Sequence, residues 1–207
     1  MSSLFSSVLA SFGVYPESCM ALSLATDGLG KKARVLMMSL KSFDDEDNDI
    51  NVFVAGGDVS ATQRFTGITR QVYDGLAVKP EDIQGVLAAK LDQLGVTNLV
   101  CHAGLKFVKP IVRRHKLIPN RFSFVDVTLM HKALGGWTEN LRQATNLIDL
   151  QAKIERMRGS NLSKLGELAE QYDVEPEITE ESPYIPVRKA RVVRDIFASQ
   201  LEMELPF

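Results

Sequence analysis

The stretch ALSLATDGLG, residues 21–30, decides how the chain is read. With Cys19 and Met20 before it, it opens as an apolar run of strand length and closes on Gly28-Leu29-Gly30, a turn that lets the chain reverse. A second apolar run, ARVLMMSL (33–40), follows directly, and after the acidic segment DDEDND (44–49) comes a third, NVFVAG (51–56). Three such runs with short turn-rich connections predict an antiparallel meander. The carboxylates of 44–49 suit a hard cation in principle, but a solvated hairpin tip is the simpler reading.

From Pro80 the period changes. Ile83, Val86, Leu87, Leu91 and Leu94 recur at helical spacing, with Pro80 and two acids at the start and Gly95 just past the end. TNLVC (97–101) reads as a buried strand, KPIVRRHKL (109–117) as a helix, and FSFVDV (122–127) as another strand. This strand–helix–strand alternation is the grammar of an α/β sheet with crossovers. Residues 134–160 carry a looser helical period through Leu141, Ala144, Ile148 and Ile154, and 161–172 form a compact amphipathic helix. A loop at 173–183 then leads into a last helix from about Pro186 to Gln200. The expected fold is α/β: a mixed five-stranded sheet, its first three strands antiparallel, flanked by helices.

Composition bounds the rest. The 207 residues are 45% hydrophobic and 24% charged, enough for one domain with an ample core. A net charge of -2 gives no global basic signature, so contact with nucleic acid requires a local patch. Cys19 and Cys101 lack metal-ligand spacing and read as buried free thiols in a reducing compartment. Residues 1–18 read as a short amphipathic helix or arm, too short to span a bilayer. No membrane association is expected, and the compartment read is the cytoplasm.

The order of these elements meets specific residues. Ser23-Leu24-Ala25-Thr26-Asp27-Gly28-Leu29 resembles the D-x-E-T-T-G-L strand of the DEDDh 3'-5' exonucleases, an RNase H-like family that includes proofreading subunits of DNA polymerases. Thr66-Gly67-Ile68-Thr69 is similar to the family's T-G-I-T. The segment 100–108 (VCHAGLKFV) resembles its H-N, F-D motif, and 124–129 (FVDVTL) its D-T-l strand end. The weakest match is the final H-x4-D, which falls on Tyr184 and Lys189. The resemblance covers roughly 19–200, with a longer segment than usual at 134–160, a core domain of 19–199 and a tail of 200–207.

The resemblance implies two divalent ions held by carboxylates, with a histidine as general base. The five positions that would supply these groups hold Ser23, Ala25, Val108, Tyr184 and Lys189. A shifted alignment does not restore them, because 93–125 and 182–194 contain no Asp or Glu. Asp126 corresponds to a residue that is structural in the family. The expectation is therefore a catalytically inactive homologue with neither metal nor cofactor, acting as an interaction or nucleic-acid-binding module in DNA replication or repair. An active exonuclease with an unconventional site is the alternative, and would require Asp27 and Asp126 to share a metal.

Two surfaces are candidates for binding. Lys106, Lys109, Arg113, Arg188 and Lys189 border the former cleft in the resembled fold and would hold phosphates, although no aromatic residues interleave with them for base stacking. The final residues Gln200, Leu201, Met203, Leu205 and Phe207 resemble the bacterial sliding-clamp-binding peptide, so a clamp or another polymerase-associated protein is a candidate partner. The competing reading of that tail is an amphipathic helix end.

Overall fold

β1 (Cys19–Thr26) is apolar along both faces, and this places it at the middle of the sheet. Cys19 and Ala21 enter one core while Met20 and Leu22 enter the other, as the two-residue period of a strand requires. In the computed structural model, which describes residues 3–30, 32–157, 164–175 and 182–205, the chain forms a mixed five-stranded sheet. β2 (Val35–Ser42) pairs antiparallel with β1, and β3 (Ile50–Phe53) antiparallel with β2. β4 (Asn98–Cys101) and β5 (Ser123–Asp126) then add in parallel on the other side of β1, giving the order β3-β2-β1-β4-β5. This is the topology expected from the sequence and that of the RNase H-like architecture.

Helices cover both faces. α4 (Pro80–Gln93) starts at a proline with Glu81 and Asp82 in its first turn and ends before Gly95, whose φ of 70° is left-handed. It packs with α5 (Lys109–Arg114) on one face through Leu87, Leu91, Ile111 and Val112. The opposite face carries α1 (Leu4–Ser11), α6 (Val127–Leu134), α7 (Glu139–Arg142), α8 (Leu147–Arg156), α9 (Leu165–Gln171) and α10 (Ile185–Glu202). α1 is the short helix expected near the start of the chain, and its Phe5 and Leu9 are fully buried in this core. Two short helices, α2 (Gln63–Thr66) and α3 (Arg70–Leu76), link β3 to α4.

Several details depart from the periodicity reading. Val86, which shares the helical spacing of α4, is 73% exposed, and Ile148, within the looser period of 134–160, is 71% exposed. The segment 134–160 is not one helix: α6 closes at Leu134, and α7 and α8 follow as separate pieces. α8 is fixed by a buried polar contact. Gln151 accepts a hydrogen bond from the Asp126 amide (3.0 Å) and donates one to the Phe124 carbonyl (2.8 Å), so its side-chain amide occupies the edge of β5 as a neighbouring strand would. At the other end of the sheet Asp49 of the acidic tip turns inward to pair with the buried Lys41 (2.7 Å) and accepts the Ser42 N–H. The remaining carboxylates of the tip are mostly exposed.

The Thr66-Gly67-Ile68-Thr69 segment has a clear local logic. The Thr66 hydroxyl accepts the Ile68 N–H, Thr69 caps α3, and Gly67 has a φ of 73°. A Cβ on Gly67 would lie 2.0 Å from the Pro183 carbonyl oxygen, so this glycine lets the segment ahead of α10 seat against the α2–α3 turn. Gly67→Ala combines a left-handed strain with a backbone overlap. It is expected to cost at least ~2 kcal/mol, about 4–8 °C in Tm by scanning calorimetry.

Candidate functional site

The carboxyl ends of β1 and β4, the turn after β4 and α10 enclose a cleft of about 230 Å³. Ser23, His102, Val108 and Lys189 line it, with Phe107 and Val193 completing its walls. Three of the five positions singled out from the sequence, Ser23, Val108 and Lys189, thus converge from three separate elements. Ala25 and Tyr184 fall in the adjoining apolar cluster with Val187, where the Tyr184 ring packs edge-on against Phe53 at 5.4 Å. Parallel strands expose such a crevice at their carboxyl ends, so its place follows from the topology.

The turn behind the cleft is tightly constrained. Ala103 adopts a left-handed φ of 53° and opens a short π-helical segment, Gly104–Val108. A Cβ on Gly104 would come within 2.4 Å of the Cys101 sulfur, so only glycine fits over that thiol. Single π turns inside helices frequently mark functional sites, and this one carries Val108 into the cleft. His102 was legible only through the histidine of the matched motif; its place in the cleft is set by the turn.

The donor set does not fit divalent cations. The cleft presents a hydroxyl, an imidazole, an apolar side chain and an ammonium group, and the ammonium repels a cation. Among the described residues, no three His, Cys, Asp or Glu come together as ligands. Asp126 caps α6 by accepting the Thr128 N–H (3.1 Å) and the Leu105 N–H (3.4 Å), and lines a different cavity from Ser23. Asp27 accepts the backbone N–H groups of Arg34 and Asp58 (2.7 and 3.2 Å). Asp27 and Asp126 thus each hold backbone amides, in separate places.

The predicted basic residues are brought only partly together. Lys189 lines the cleft, whereas Lys106 lies in the Asp126 cavity and pairs with Glu155 at 2.9 Å, which raises its pKa. Lys109 and Arg113 line a third concavity of about 650 Å³ between α5 and α8. Arg113 is taken up structurally: it donates to the carbonyls of Ile118, Asn120 and Phe122 and stacks over Phe124. Arg188 is half-buried beside Lys189 in sequence and lines none of the three.

The tail needs a correction. α10 continues through Glu202, and the Gln200 side chain, fully buried, donates to the Val127 carbonyl at 2.9 Å. Leu201 and Leu205 are core residues, and the Leu201 carbonyl accepts the Ser3 hydroxyl at 2.6 Å. Met203 is 43% exposed and Phe207 lies outside the described residues. The glutamine and leucines of the clamp-peptide pattern are therefore built into the domain rather than offered on a free end, because α10 runs on across the core.

Both thiols are buried and free, as expected. Burial pushes Cys19 up from 9.0 to about 12 and Cys101 well above its ordinary value, so neither serves as a thiolate nucleophile near neutrality. No helix among the described residues is long and apolar enough to cross a membrane. No family model and no curated protein matches the chain.

Two expectations follow from this geometry. Gln200→Ala strips the buried Val127 carbonyl of its partner and should cost about 1–3 kcal/mol in denaturant unfolding. Cys19 and Cys101 should resist alkylation at pH 8 until the chain is denatured. Their raised native pKa values mean that the unfolded state loses these protons near pH 9 while the native state keeps them, so stability should fall as pH rises above about 9.

Proposed function

We propose that this chain is a DEDDh-type 3'-5' exonuclease homologue that does not hydrolyse phosphodiesters and serves DNA replication or repair as a nucleic-acid-binding module. The observation that carries the reading is the convergence of Ser23, Val108 and Lys189 on one cleft at the carboxyl ends of the parallel strands. Those positions match the family's carboxylates, and they meet in space as such carboxylates must. In their place stand a neutral hydroxyl, an apolar side chain and a cation. A phosphate that the family would reach through metal ions is here attracted directly by the Lys189 ammonium, with an affinity that falls as salt rises. The walls of the cleft support entry of a single strand, since Phe107 and Leu24 border it beside the polar groups.

Docking on a sliding clamp through the tail has less support, because Gln200 and Leu205 would have to leave the core first. The active alternative would need Asp27 and Asp126 on one metal, and the two hold different backbone amides.

The test is a fluorescence anisotropy titration of the full chain with a single-stranded oligonucleotide in EDTA, alongside a hydrolysis assay with magnesium or manganese. Binding without hydrolysis is expected, with Lys189→Glu weakening it roughly fivefold at low salt, the worth of about one phosphate contact. Metal-dependent cleavage that Asp126→Asn abolishes would overturn the inactive reading. An absence of binding at low salt would overturn the binding role.

A further inference from the structure

Two stretches without a single Asp or Glu, 28–43 and 93–125, meet at one corner of the molecule. The first contains the β1–β2 turn and the second contains the end of α5. The Arg114 guanidinium and the His115 Nε2 (3.0 Å) both lie on the Ala33 carbonyl oxygen, which can only accept, so both donate. The Arg34 guanidinium donates to the Gly56 carbonyl. Lys32, Arg34, Arg114 and Lys116 are all exposed on this corner, and Arg34 and His115 line one cavity of about 300 Å³. The nearby carboxylates are engaged: Asp27 by backbone amides, and Asp58 by the Ser60 amide and Arg70. Among the described residues, Lys32, Arg34 and Lys116 form no ion pair.

We infer that this corner binds the phosphate backbone of double-stranded nucleic acid. Three features carry it. Arg34 is held by a carbonyl acceptor through part of its donor set, so further N–H groups of its guanidinium stay available and little side-chain freedom is lost on binding. Residues 28–34 and 113–116 contain no Phe, Tyr or Trp, so the corner offers no stacking platform and reads phosphate rather than bases. A duplex presents one charge per roughly 1.7 Å of its axis, a density that favours it over a single strand on a surface whose main resource is charge.

The position relative to the cleft fits. Val108 lines the cleft and precedes α5, whose six residues end at Arg114; at 1.5 Å per residue the helix covers about 9 Å. The cleft and the corner therefore lie at the two ends of one short helix. The inference extends the proposed nucleic-acid role and rests on it only in the choice of polyanion. Both lysines can be altered without disturbing the fold: Lys32 is exposed, and Lys116 has a left-handed φ of 52° that glycine adopts more readily.

The test measures binding of the full chain to a blunt duplex of mixed sequence by anisotropy across a salt series. The variants are Lys32→Ser/Lys116→Gly and a charge-matched control, Lys90→Ser/Lys164→Ser, far along the chain from the corner. Wild type and control should bind alike at low salt. The corner variant should bind about tenfold more weakly, with a log–log salt slope reduced by about 1.8, two contacts at ~0.9 each, and with its Tm retained. Duplex affinity and slope unchanged in the corner variant would overturn the inference. So would a wild type that binds single strands alone, a result that leaves the cleft reading standing. Preference for anionic phospholipid vesicles over duplex, with Leu29 (88% exposed) inserting beside Lys32, would replace it with a membrane surface. Lys189→Glu should weaken binding to the single-stranded oligonucleotide while keeping its duplex binding; loss of duplex binding in that variant would overturn a separate corner site.

Discussion

The seam between α10 and β1 is the constraint on which the rest of the molecule depends. Ala21 enters the core beneath α10 with Val192, Val193, Ile196 and Phe197, while Ala25 packs near its start with Val187. Ser23 lies between them on the strand and is 8% exposed, and Ala25 is 5% exposed. Small side chains at alternate positions of β1 let the helix lie close and carry its larger residues onto the sheet. An ionised carboxylate at 23 or 25 would be a buried charge, costing several kcal/mol unless a cation paired with it. Serine and alanine avoid that cost and fit the space beneath α10. The same seam carries Gln200 onto Val127 and Leu205 into the core, which converts an apparent recognition peptide into part of the scaffold.

The chemistry of the cleft follows from that arrangement. Two-metal hydrolysis of a phosphodiester requires several carboxylates that gather hard cations around the reacting oxygens. Here the groups that meet are a hydroxyl, an imidazole and an ammonium, which can orient an anion but cannot assemble such a centre. Asp126 shows how completely the remaining acids are committed: it caps α6, holds the Leu105 amide and, through its own N–H, receives Gln151 from α8. The left-handed Ala103 and the crowded Gly104 belong to the same turn, which fixes His102 and Val108 at the cleft.

Most of the fold was legible in the residues. Apolar runs at 19–25 and 33–40, the Pro80 start of α4 and the TNLVC and FSFVDV strands all appear where the pattern put them, because strand and helix periods are local properties of a buried face. Val86 and Ile148 share the helical period yet stay exposed, because periodicity identifies an apolar residue without showing whether a neighbour covers it. The cleft was legible as positions rather than as a place. Lys106 and Arg113 looked equivalent to Lys189 in the sequence, yet Glu155 and three backbone carbonyls take them up, and no count along the chain shows those partners.

The sequence was sufficient for the α/β class, the succession of a meander and then crossovers, and the lack of Asp and Glu in 93–125 and 182–194, since each depends on residue type and short-range spacing. The tertiary structure was needed to learn which charges remain available. Charge availability depends on partners distant in the chain: Ala33 beside Arg114 and His115, Glu155 beside Lys106, Val127 beneath Gln200. Electrostatic and hydrogen-bond energies act over a few ångströms of space, whatever the distance along the chain. That is why the lack of carboxylates along the strand could be read from residues 21–30, while the basic corner at the turn they enter came into view only once the chain had folded.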